Sequence, residues 1–188
     1  MMFEALTLLA IASTALAQLL IPTAPTTTGQ NTSQSFLIKT HLPPHQSTTT
    51  NLIWFNNLYL SASRTGAGTS DAVFTSKITS SLQAFFNSAS PTSPPTLAPL
   101  NFIGASYPFA FAPTRTAYAG WSFVQVNAGD DGAVVWKESL EYAMDGFGGW
   151  MVCDWWHGMP QLFVRWTVVP AVAVPMGCAV VELRKVWI

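Results

Sequence analysis

At 188 residues the chain suits one domain with enough length to bury a sizeable core. Charged residues make up 9% of it, against roughly 25% in an average soluble protein, and the formal net charge is −1. That balance argues against nucleic acid, which demands a basic face, and against electrostatic docking on an anionic membrane.

Polarity comes instead from Ser, Thr, Asn and Gln, a composition that fits an extracellular β-protein rich in Thr, Trp and Phe. Residues 5–16 form an apolar run, and Ala15-Leu16-Ala17 satisfies the small-x-small rule, so a signal peptide is expected over residues 1–17, cut between Ala17 and Gln18. Glu4 stands where a basic residue is usual. The run is too short to span a bilayer, which takes roughly 20 residues. Cleavage would remove Glu4 and bring the nine acidic residues to eight, matching the eight basic ones. Residues 18–34 read as a flexible Thr/Pro-rich leader, with Pro22, Pro25 and Thr26 to Thr28 suited to O-glycosylation. Asn31-Thr32-Ser33 is an N-glycosylation sequon.

From residue 35 to 188 the chain reads as one β-rich domain. Residues 35–40 predict the first strand. His41 and His45 are spaced to chelate a metal from one helix face, but Pro43 and Pro44 forbid the helix, no third ligand is near, and a surface loop is expected. Residues 54–63 predict a second strand, followed by the Gly-rich turn 64–70. That turn lacks the Gly-x-x-x-x-Gly-Lys-Ser/Thr spacing and the helix of a phosphate-binding loop. Ile78, Leu82, Phe85 and Phe86 fall at helical spacing, although residues 83–86 could equally be a strand. Residues 88–99 form a Pro/Ser/Thr-rich loop. Further strands are expected at 100–103, 107–112, 121–126, 133–137 and 140–143, with a turn of Asn, Gly and Asp at 127–132.

The richest stretch is Gly146-Phe147-Gly148-Gly149-Trp150-Met151-Val152-Cys153-Asp154-Trp155-Trp156-His157-Gly158-Met159-Pro160-Gln161-Leu162-Phe163. It reads as a hairpin with strands 150–156 and 161–168, and Cys178 opens a last strand beyond Pro170 and Pro175. Those two prolines also break the apolar stretch 167–181, so no membrane span is expected in the mature chain. In all, about ten short antiparallel strands with regular turn signals predict an all-β sandwich or barrel with at most one short helix. Two cysteines in an oxidising compartment imply one disulfide, Cys153 to Cys178, closing a loop of about 25 residues and contributing roughly 3 kcal/mol. No metal site and no cofactor is expected.

The Gly-Gly-Trp-x-x-Cys-Asp-Trp-x-His-Gly-x-Pro-Gln-Leu-Phe signature, with the later Cys and its Val/Leu strand, resembles a family of small secreted proteins of filamentous fungi, a domain of unknown function. The resemblance extends to Leu58-Tyr59-Leu60, to Thr65 through Val73, and to Tyr118-Ala119-Gly120-Trp121 with Val126 to Gly129. It implies a secreted domain and lends no catalytic residues. Val164 stands where that family carries an aromatic, and Asn87-Ser88-Ala89 misses a sequon by one residue.

Asp154 and His157 are the close acid–histidine pair, but catalytic triads converge in space and no Gly-x-Ser-x-Gly elbow is present. Glu138, Glu141, Asp145 and Asp154 raise the question of a glycosidase pair, whose spacing sequence cannot supply. Tryptophans are the stronger resource. Adjacent residues on a strand face opposite ways, so one of Trp155 and Trp156 is expected at a surface or pocket. The candidate ligand-binding residues are therefore Trp150, Trp155, Trp156, His157 and Asp154. The expected function is a non-enzymatic extracellular binding domain for a cell-wall glycan, an apolar ligand or a protein partner. The alternative is a small hydrolase using Asp154 and His157 or Glu138 and Glu141.

Overall fold

A computed structural model describes residues 35–47, 51–86, 98–103, 109–113, 120–127, 133–136, 138–155, 158–167 and 173–188. The expected signal peptide with its Ala17–Gln18 cut, the leader with Asn31, and residues 88–97 of the Pro-rich loop lie outside these.

Among the described residues twelve strands form: β1 (Phe36–His41), β2 (Tyr59–Gly66), β3 (Thr69–Thr75), β4 (Gln83–Phe86), β5 (Ala98–Phe102), β6 (Phe109–Pro113), β7 (Trp121–Asn127), β8 (Ala133–Trp136), β9 (Leu140–Tyr142), β10 (Phe147–Asp154), β11 (Pro160–Trp166) and β12 (Cys178–Trp187). The all-β expectation holds, and the pairing decides between its two forms. β12 pairs β1, β1 pairs β4, β4 pairs β5, β5 pairs β8 and β8 pairs β9, all antiparallel. β10 pairs β12, and β9 approaches both without a ladder to either; that contact brings the last of these six strands back to the first and closes them as a barrel. The other six make the hairpins β2–β3, β6–β7 and β10–β11. Their second strands β3, β7 and β11 each pair with the other two. A barrel of six strands capped by three mutually paired hairpins is the β-trefoil arrangement, in which a four-strand unit occurs three times.

Two local expectations change, and one that stood open between helix and strand is decided. Pro44–Ser47 forms a single helical turn, α1, because a proline at the first helical position has no N–H to lose and its φ is already set. Residues 53–55 make a 3-10 turn, and the next strand starts only at Tyr59. The helical spacing from Ile78 resolves into a 3-10 turn at Ile78–Ser80 followed by β4, whose pairing with β1 and β5 as a barrel stave outweighs local periodicity.

Strand alternation sends one side chain in two into the barrel. Phe36, Ile38, Leu60, Phe74, Leu100, Phe102, Val124, Leu140, Trp150, Val152, Leu162, Val164 and Leu183 belong to one buried cluster. At Gly148-Gly149 the β10–β11 register shifts, with Gly149 at φ +112°. A Cβ on Gly148 would lie 3.2 Å from the Arg165 carbonyl oxygen and the Thr167 nitrogen. The double glycine is thus a bulge that lets Trp150 enter the barrel.

Buried Thr40 ties the 3-10 segment to β1. Its hydroxyl donates to the Phe55 carbonyl (2.6 Å) and accepts from the Leu58 N–H (2.9 Å). Thr40→Val keeps the shape and strands both backbone groups. It should lower the unfolding free energy by about 1–3 kcal/mol in a urea titration, and an unchanged midpoint would show that neither bond matters.

Candidate ligand-binding site

The three hairpins meet with Asp71 opposite Gln125, Gln161 opposite Val73, and Phe163 opposite Phe123. A cleft of about 310 Å³ lies at this junction, near the lower end of the roughly 300–1,000 Å³ typical of small-molecule sites. Alternation explains what lines it. On β11, Leu162 and Val164 point into the barrel, which leaves Gln161 and Phe163 for the cleft. On β7, Val124 and Val126 are inward, so Trp121, Phe123 and Gln125 face the cleft; on β3, Asp71 is outward beside Ala72.

One wall is aromatic. Trp121, Trp155 and Phe163 stand mutually edge to face: centroids are 5.6 Å apart for Trp121–Trp155, 5.2 Å for Trp121–Phe163 and 5.6 Å for Trp155–Phe163. Phe163 is buried, whereas Trp155 is 49% exposed at the lip. Phe163 also belongs to a second apolar cluster with Met151, Cys153 and Cys178, against which Trp121, Phe123 and Val174 pack, so three lining aromatics rest on it. The expected Cys153–Cys178 disulfide is present within that cluster.

The polar wall is made of acceptors and amides. Asp71 supplies a carboxylate, Gln125 and Gln161 supply amides, and Thr65 a hydroxyl. Gln161 is only 4% exposed, and its Oε1 accepts no hydrogen bond among the described residues. No Lys, Arg or His is among the described lining residues.

A family model for a domain of unknown function, DUF7907, matches residues 33–187. The chain belongs to this family. No curated protein matches it. Among solved structures it is similar to the double-headed arrowhead protease inhibitor A, crystallised in complex with two trypsins, with a TM-score of 0.51 and 14% identity over 85% of this chain and 92% of that one. That likeness is one of fold.

Within this DUF7907 domain the residues singled out from sequence scatter. Trp155 lines the cleft. Trp150 lies in the barrel core at 2% exposure, its indole N–H donating to the Leu140 carbonyl, and does not line the cleft. The strand ends at Asp154, two residues short of the 156 that the argument from adjacent tryptophans assumed, and the Asp154 side chain is exposed while its N–H donates to the Gly177 carbonyl (3.0 Å). Trp156 and His157 fall outside the described residues. Glu138 and Asp145 are exposed, Glu141 is half-buried, and none of the three lines the cleft. No group of three His, Cys, Asp or Glu side chains among the described residues could hold a metal.

Asp71, Phe123, Gln125, Gln161 and Phe163 were not singled out from the sequence. Gln161 carried one signal, a polar residue opening the apolar run Leu162-Phe163-Val164 on a strand buried on both faces. A separate aromatic group surrounds Lys185, whose ammonium lies 5.0 Å from the Phe36 and Phe86 ring centres and 5.3 Å from Trp187. Burial there pushes its pKa below the ordinary lysine value. This cluster belongs to the barrel wall, where Phe36 is opposite Trp187 on β12 and Ala84 on β4.

Proposed function

We propose that this domain is a secreted, non-enzymatic binding module of the fungal type its motifs resemble, and that the cleft at the hairpin junction receives the apolar face of a ring-shaped ligand. The observation that carries the reading is the edge-to-face group of Trp121, Trp155 and Phe163 on one wall of a small cleft, with Trp155 half in solvent. Rigid aromatic rings offer large contact area at small entropic cost, and converging amides and a carboxylate can orient what stacks there. Hydrolysis fits this cleft less well. Glycoside cleavage usually takes two carboxyl groups about 5–9.5 Å apart, and Asp71 is the one carboxylate among the described lining residues. The disulfide agrees with an oxidising destination, and no helix among the described residues is long and apolar enough to cross a membrane.

Titrating the oxidised mature protein with fungal and plant cell-wall glycans should give a saturable shift in Trp fluorescence. Trp155→Ala should abolish that shift while leaving the thermal midpoint within a few degrees, since the ring is half exposed. An unchanged titration in Trp155→Ala would remove the cleft from consideration and move attention to a protein partner.

A further inference from the structure

Resting on that reading of the cleft, we propose that its ligand is an uncharged saccharide unit, and that Gln161 Oε1 is the acceptor that reads one of its hydroxyl groups. Gln161 is the polar residue of the cleft that the fold itself leaves unsatisfied. It sits at 4% exposure between Pro160 and Leu162, directly opposite Cys153 on β10 and Val73 on β3, and Oε1 accepts no hydrogen bond from the described residues. Buried polar atoms nearly always have partners, and one without them is a cost to the fold. A methionine at this position would fill similar space without that cost. Oε1 is enclosed in the ligand-free protein, so it meets a ligand only when the terminal amide turns about its soft last bond toward the cleft that Gln161 lines, where a ligand hydroxyl supplies the missing donor.

The other groups narrow the ligand. No Lys, Arg or His stands among the described lining residues to pair with a ligand carboxylate, so uronic acids are poor candidates. The Trp155 and Trp121 rings suit a flat patch of C–H groups. A pyranose supplies both: C–H groups across one face for the rings, and hydroxyl donors around its rim for Oε1. Sites built to hydrogen-bond a ligand hydroxyl discriminate strongly against the analogue lacking it, because the buried partner is left unpaired.

The test is calorimetric titration of the oxidised protein with cellohexaose, laminarihexaose, mannohexaose, chitohexaose and hexagalacturonate. At least one neutral hexamer should bind, and its per-O-methylated form and hexagalacturonate should not. Gln161→Met should weaken the neutral hexamer by about 10- to 100-fold, the scale of one buried hydrogen bond, while the ligand-free variant unfolds at an equal or higher urea concentration. Gln161→Glu, nearly isosteric, guards against a folding defect and should also weaken binding, by replacing the amide with a second carboxylate. Equal affinity in Gln161→Met, equal binding of the methylated probe, or tighter binding of hexagalacturonate would each overturn the inference, while a Trp155→Ala loss would leave the cleft reading standing. Failure of every hexamer overturns it as well. The cleft reading is then decided separately, by whether phenol quenches Trp fluorescence in the unmodified protein and not in Trp155→Ala.

Discussion

Trp150→Ala is expected to lower the unfolding free energy by about 3–5 kcal/mol, the range for truncating a buried aromatic. Trp150 is the largest side chain fully enclosed in the barrel core, and its ring packs edge to face on Phe147 at 5.1 Å. It also joins two parts of the fold. The residue belongs to the β10–β11 hairpin, while its indole N–H donates to the Leu140 carbonyl on β9, a barrel stave. Truncation therefore opens a cavity and leaves a buried carbonyl unpaired. Trp150→Phe separates the two effects: it keeps most of the ring and should lose roughly 1–3 kcal/mol, chiefly through the stranded carbonyl. Guanidinium titrations of the three proteins measure this directly. A Trp150→Ala loss below about 1 kcal/mol would mean that the core collapses around the gap and that the β9 link carries little.

The contrast between Trp150 and Trp155 shows what the sequence could convey. Period-two alternation located nearly every strand, and the prolines and glycines located the turns, because both are local properties. The signals that stayed ambiguous were those where a distant strand decided the outcome. β4 is a strand because β1 and β5 flank it, although Ile78, Leu82 and Phe85 space like a helix. Closure of the barrel, and the mutual pairing of β3, β7 and β11, leave no local trace at all. The cleft inherits that obscurity. Asp71, Gln125 and Gln161 come from three hairpins and meet only because those hairpins pair. Trp150 and Trp155 share one motif, yet five residues of twisted strand carry one into the barrel and the other past its end to the cleft lip.

Opening the disulfide is the second large effect. Cys153 and Cys178 face each other across β10 and β12 and close a 25-residue separation, for which chain entropy predicts a stabilisation of about 3 kcal/mol. Reduction of the unaltered protein isolates that contribution, since it removes the bond and no side chain of the cluster. The double variant Cys153→Ala, Cys178→Ala adds the loss of two buried sulfurs from the cluster with Met151 and Phe163, and should be less stable than the reduced protein. In denaturant titrations the slope should rise on reduction, because the unfolded chain without its cross-link exposes more surface. An equal slope with a lower midpoint would place the effect in the native state instead. The cleft supplies an independent reading. Cys153 lies opposite Gln161 on one side and Cys178 on the other, so the disulfide braces the strand from which Trp155 extends. Under conditions where the reduced protein remains folded, its Trp155-dependent ligand signal should therefore weaken before the barrel signal of Trp150 is lost. Simultaneous loss of both signals would show that cleft and barrel melt as one unit and that the bond serves the whole fold rather than the cleft.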